Sequence, residues 1–145
     1  MLFSMPFLCL TLSGVGPARA EEQAGVIRTV AGPAFVVRDG RETPALPGGR
    51  VDAGDTLRTG EGGSLGVILR DDALLSLGPQ STLVIATFLF EPAQKKLGLV
   101  ARIVRGTVGY LSGIIARLAP ETVRLETPVA SIGVRGTRLA VKVDG

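Results

Sequence analysis

Few residues in these 145 could do chemistry: there is no His, no Trp, one Cys, and no Asn. Without imidazole, the chain by itself builds no Ser-His-Asp or Cys-His nucleophile pair and no His-ligated zinc or iron centre. One stretch, Gly62-Gly63-Ser64-Leu65-Gly66, has the G-x-S-x-G form of a nucleophile elbow. That elbow needs a strand-to-helix turn and a His base, whereas the residues after Gly66 alternate like a strand, so a glycine-rich hairpin is the better reading. Asp71-Asp72 could hold a hard cation only with further oxygen ligands at loop spacing, and Arg70 and Ala73 supply none; a solvated turn is expected there. Paired carboxylates for sugar hydrolysis have little aromatic surface to work with, since Phe and Tyr together number six.

Two glycine-threonine constellations are more specific. In the first, Gly54 and Asp55 open a short strand that Thr59 and Gly60 close, with Asp55 placed to bond nearby backbone amides in a β-arch. In the second, Thr127 and Pro128 lead through Ser131 to Gly133, Val134, Arg135, Gly136 and Thr137. The two glycines let the backbone take positive φ or approach another strand, which fixes Arg135 between them. A guanidinium held at such a corner needs a carboxylate or several carbonyls, and Asp55 is the expected partner. Both motifs read as corners that fasten the fold or contact a ligand or partner.

The elements that must position these corners are strands. From residue 26 onward, short apolar runs are divided by Gly, Pro and Asp clusters, giving expected strands at 26–30, 34–38, 41–46, 56–58, 64–69, 73–77, 82–90, 97–104, 107–111, 123–125 and 138–143. Asp39-Gly40 is a hairpin signal, and Arg105-Gly106 reads as a break. Only residues 113–119 could form a helical turn or two, so parallel crossover units are excluded. The expected fold is a single all-β domain of many short strands, a rolled two-layer sheet or a solenoid-like stack, with a sandwich as the alternative.

Residues 2–12 are almost continuously apolar, 13–17 break the run, and Ala18 and Ala20 suit a signal-peptidase cleft. Residues 1–20 are therefore expected to be a signal peptide cleaved after Ala20, leaving 21–145 as the exported domain, periplasmic where there is an outer membrane. Cys9 falls within the removed segment, so the mature chain carries no thiol. Sixteen Lys and Arg stand against thirteen Asp and Glu with no basic run longer than Lys95-Lys96, a distribution that argues against nucleic-acid binding. No later stretch has the length of a membrane span.

In order and spacing, Gly54-Asp55 with Thr59-Gly60, Leu75 through Leu83, Arg105-Gly106-Thr107-Val108 with Tyr110 to Gly113, and Thr127-Pro128 through Thr137 resemble the FecR-type periplasmic domain over roughly residues 54–143. The resemblance implies an all-β binding and signalling module outside the cytoplasmic membrane, without enzymatic activity or cofactor. In the best-known members this module receives a signal from an outer-membrane iron-siderophore transporter and passes it to a cytoplasmic sigma factor. The helical cytoplasmic segment, membrane span and further C-terminal domain of those regulators have no counterpart here, so a stand-alone exported member is expected. Asp71-Asp72-Ala73 also departs from the family's central turn, which carries Gly after its Asp. The expected function is a protein-binding accessory in envelope signalling or transport regulation, with an envelope protein as partner. A periplasmic glycan or small-ligand binder is the alternative.

Overall fold

The computed structural model describes residues 23–134 and 138–144. These form twelve strands, one short α-helix and two 3-10 turns (Pro92–Gln94 and Pro120–Thr122): β1 (Gln23–Ala31), β2 (Ala34–Arg38), β3 (Arg41–Pro44), β4 (Arg50–Asp52), β5 (Thr56–Thr59), β6 (Ser64–Leu69), β7 (Leu74–Leu77), β8 (Thr82–Glu91), β9 (Lys96–Leu111), α1 (Ile114–Leu118), β10 (Val123–Glu126), β11 (Ser131–Gly133) and β12 (Arg138–Val143). One layer runs β4-β1-β6-β7-β9-β12 and the other β3-β2-β5-β8-β9-β10-β11. The strand common to both layers is β9, so a single sheet is rolled upon itself, the first of the expected forms. All pairings are antiparallel except β9 with β10.

The expected break at Arg105-Gly106 is instead a bend inside β9. Before it, Leu99, Ala101 and Ile103 are buried; after it, Val108 and Tyr110 are, so the inward-facing positions change from odd to even. A strand can change phase only by inserting a residue, and such a bulge favours glycine in the left-handed region. Gly106 has φ +92°, and the β8 register shifts beside it. The N-terminal part of β9 pairs with β8 and β10, and the C-terminal part with β7 and β12.

Alternation places one face of each layer inward. Ile27, Val67, Leu75, Leu77 and Val108 from one layer meet Leu57, Leu83, Ile85, Leu99 and Leu125 from the other in one continuous apolar cluster. Asp39-Gly40 makes the two-residue hairpin between β2 and β3, both residues at positive φ, as its sequence requires. The strand expected at 41–46 stops at Pro44. Two strands had no signal, β4 and β11; each has three residues and exists because a neighbour supplies its hydrogen bonds.

Candidate functional site

The Gly54-Asp55 motif sits where the chain leaves β4 and enters β5 in the other layer. Gly54, at φ +92°, donates its N–H to the Ile85 carbonyl at 2.6 Å, and Ile85 N–H returns a bond to the Asp55 carbonyl at 3.0 Å. These bonds turn the Asp55 side chain inward, where the residue is 1% exposed. Its carboxylate accepts from Arg38 Nε at 3.0 Å and Nη2 at 2.7 Å, and from the Asp52 N–H at 2.8 Å. Arg38 also lies 3.5 Å from the carboxylate of Asp52, itself buried, and Arg50 bonds the other Asp52 oxygen. Two buried carboxylates and two half-exposed guanidiniums thus form one charge-balanced cluster. Arg38 holds Asp55, the role expected of Arg135; Arg135, Gly136 and Thr137 lie outside the described residues. Spacing could not reveal Arg38, because β2 and β5 become neighbours only in the folded sheet.

The other end of β5 is a hydroxyl relay. Thr59 Oγ1 donates to the Gly78 carbonyl at 2.6 Å and accepts from Ser81 N–H at 2.9 Å. Ser81, fully buried, accepts from Thr107 N–H through its Oγ at 3.0 Å. Thr59 and Ser81 therefore carry hydrogen bonds from β5 to the point where β9 crosses between layers. Gly60 donates to the Pro33 carbonyl and accepts from Gln80 N–H, each at 3.0 Å, closing the same corner. Gly62-Gly63-Ser64 is a glycine-rich turn, with Gly62 at φ +71° and Ser64 opening β6, but not the expected hairpin: it passes the chain from β5 in one layer to β6 in the other, and these two strands do not pair.

Asp71 differs from the expected solvated turn. It is completely buried, while Asp72 beside it is exposed at φ +68°. Asp71 accepts from the N–H groups of Ala73 at 3.2 Å and Ile115 at 3.3 Å, and its carbonyl accepts from Ile114 N–H at 2.7 Å. It thereby fastens α1 to the β6–β7 turn. Burial pushes its pKa above the ordinary carboxylate value of 3.8, against the opposing pull of those N–H donors. Gly113 packs so closely on Asp71 that a Cβ there would lie 2.3 Å from the main-chain carbonyl oxygen of Asp71 and 2.8 Å from its Oδ2. Tyr110 is also buried, its hydroxyl close to the Gly113 main chain without a hydrogen bond of normal geometry. Burial, then the Asp71 charge, raises that phenol to about 12.

Thr127 and Pro128 lie on the β10–β11 hairpin, far in the pairing order from Asp55. Thr127 N–H donates to the Ala130 carbonyl at 2.8 Å, and its Oγ1 accepts from Ala130 N–H at 3.0 Å. This self-bonded turn presents Pro128 and Val129 outward; Val129 is 93% exposed, an apolar tip the sequence did not single out. Gly133 ends β11 and lines a shallow depression with Pro120, Glu121 and Arg124. A larger groove of about 660 Å³ opens above the charge cluster, with Ile27 and Val36 at its floor and Arg38, Arg41, Leu46 and Arg50 around it. Among the described residues no group of three or more acidic or thiol side chains could hold a metal ion, and no helix is long and apolar enough to cross a membrane.

The described residues thus form one rolled all-β sheet whose buried polar side chains brace its own corners. The family model for FecR protein matches residues 55–145, beginning at Asp55 itself, and the chain belongs to that family. The family is regulatory and signalling-related and is not known for catalysis. No curated protein and no solved structure matches the chain.

Proposed function

We propose that this chain is an exported, non-enzymatic FecR module, released after Ala20, that binds another protein of the cell envelope as an accessory in signalling or transport regulation. The observation that carries the reading is where the polar chemistry goes. The buried carboxylates of Asp52, Asp55 and Asp71 and the buried hydroxyls of Thr59 and Ser81 bond this chain's own backbone or guanidinium groups, and of the buried side chains with a hydroxyl among the described residues only Tyr110 has none. A catalyst needs such groups poised toward substrate, whereas a docking module needs them to hold its surface in shape. The hairpin tip at Pro128 and Val129 is the contact this reading favours, a rigid apolar projection of the kind that fills a partner's pocket.

A tagged chain from Glu21, which contains every described strand, tests this by retention of proteins from an envelope extract with mass-spectrometric identification. A reproducible partner whose recovery falls with Val129→Asp supports the reading. The groove beside Arg38, Arg41 and Arg50 favours a second one, a glycan or small-ligand binder. Retention of cell-wall fragments in place of any protein would replace the first reading by the second.

A further inference from the structure

We infer that β12 is a self-pairing edge and that two copies of this chain associate through it about a two-fold axis. The inference does not rest on the partner-binding reading. It starts from the four margins that the two layers present among the described residues, β3, β4, β11 and β12. An unpaired margin is a template for another strand, and proteins blunt it with proline, with shortness, or by occupying its donors. Three margins are blunted in these ways. β3 ends in Pro44, which has no N–H; β4 has three residues and its Asp52 N–H is given to Asp55; β11 has three residues. β12 has six residues without proline or glycine, and among the described residues it pairs only with β9.

The side chains on β12 select the partner and the register. Leu139, Val141 and Val143 share the inward face and pack on the core, while Arg138, Ala140, Lys142 and then Asp144 lie on the outward one. Antiparallel pairing of two copies about Val141 sets Leu139 opposite Val143 and Val141 opposite its own copy, which continues the apolar face across the axis. On the outward face the same register sets Arg138 opposite Asp144 of the second copy, twice. Sliding by one residue mixes apolar with charged faces. The two neighbouring registers that keep the faces aligned set either Arg138 opposite Lys142 or Lys142 opposite itself, both like-charge pairs. Both partners are available: Asp144 is 93% exposed with only a 3.9 Å contact to Lys142, and Arg138 is exposed with no ion pair among the described residues. The contact is isologous, so it closes at two copies and does not propagate as a fibre.

Sedimentation of the chain from Glu21 over a concentration series, at low and high salt, tests this. A reversible dimer is expected. Arg138→Glu should weaken it roughly tenfold by facing two carboxylates, and Arg138→Glu combined with Asp144→Arg should restore it, with circular dichroism unchanged throughout. A monomer at every concentration, a dimer indifferent to Arg138→Glu, or a charge swap that fails to restore association would each overturn the proposal.

Discussion

At the scale of single residues, this protein buries carboxylates and hydroxyls to hold its corners, and the energetics follow from leaving one of them alone. Asp55→Ala would take from Arg38 the nearer of its two carboxylates, leaving it the 3.5 Å contact with Asp52, and would remove the acceptor of the Asp52 N–H inside the fold. Losing one member of a buried pair typically costs 3–5 kcal/mol; because Arg38 is 37% exposed, the lower end applies, about 3 kcal/mol by denaturant titration. A loss below about 0.5 kcal/mol would mean that water reaches the carboxylate. Tyr110 offers a direct optical check, since it is the single tyrosine of the chain. Its phenolate absorbance should titrate in the folded protein near 12, against about 10 once unfolded. Between those values the unfolded chain has lost the proton and the folded one has kept it, so stability falls as pH rises through that window. A native midpoint near 10 would show the hydroxyl to be hydrated.

At the scale of elements, β9 decides the architecture because it serves both layers, and Gly106 decides β9. A Cβ at that position would sit 2.2 Å from Ser81 Oγ and 2.5 Å from its Cα, on a backbone that already has φ +92°. Gly106→Ala therefore combines left-handed strain with a clash against buried backbone, and about 3 kcal/mol of destabilisation is expected. Gly40→Ala supplies the comparison: it also has positive φ, at +76°, but open space around it, so its cost should be the strain alone, about 1 kcal/mol. Equal costs for the two would show that the Ser81 contact relaxes freely and that the crossing is not rigid. The same crossing explains why Thr59 and Ser81 are buried hydroxyls: a bulge interrupts the ladder, and side chains supply the bonds that the ladder omits.

For the molecule as a whole, one apolar cluster spans both layers, and the strand shared between them makes it difficult for either to open alone. A single cooperative transition is expected on heating. The near-ultraviolet signal of Tyr110, which reports the layer containing β7 and β12, should melt together with the far-ultraviolet signal of the whole sheet. Separate midpoints would mean that the two layers are independent units. The surfaces proposed for binding lie at the margins of this unit: the hairpin tip at Val129, the groove at Arg38 and the edge of β12.

What the sequence determined by itself is whatever depends on near neighbours along the chain. Alternation in Leu65 to Leu69 and in Leu139 to Val143 specified strands with one buried face, Asp39-Gly40 specified a hairpin, and residues 113–119 hold the one α-helix among the described residues, although single 3-10 turns also form at Pro92–Gln94 and Pro120–Thr122. The motif spacing also identified the family that the match over 55–145 establishes. Tertiary structure alone decided the rest. Arg105-Gly106 has the local chemistry of a turn, yet β8 and β10 pair with β9 before it and β7 and β12 after it, so the strand bends there without ending. Asp71 has the local chemistry of a solvated loop, yet α1 closes over it and makes its carboxylate a fastening. Arg38 stands 17 residues from Asp55 and reaches it only because the rolled sheet lays β2 beside β5. Turn preference is a property of two or four consecutive residues, whereas burial and partnership are properties of strands brought together from distant parts of the chain.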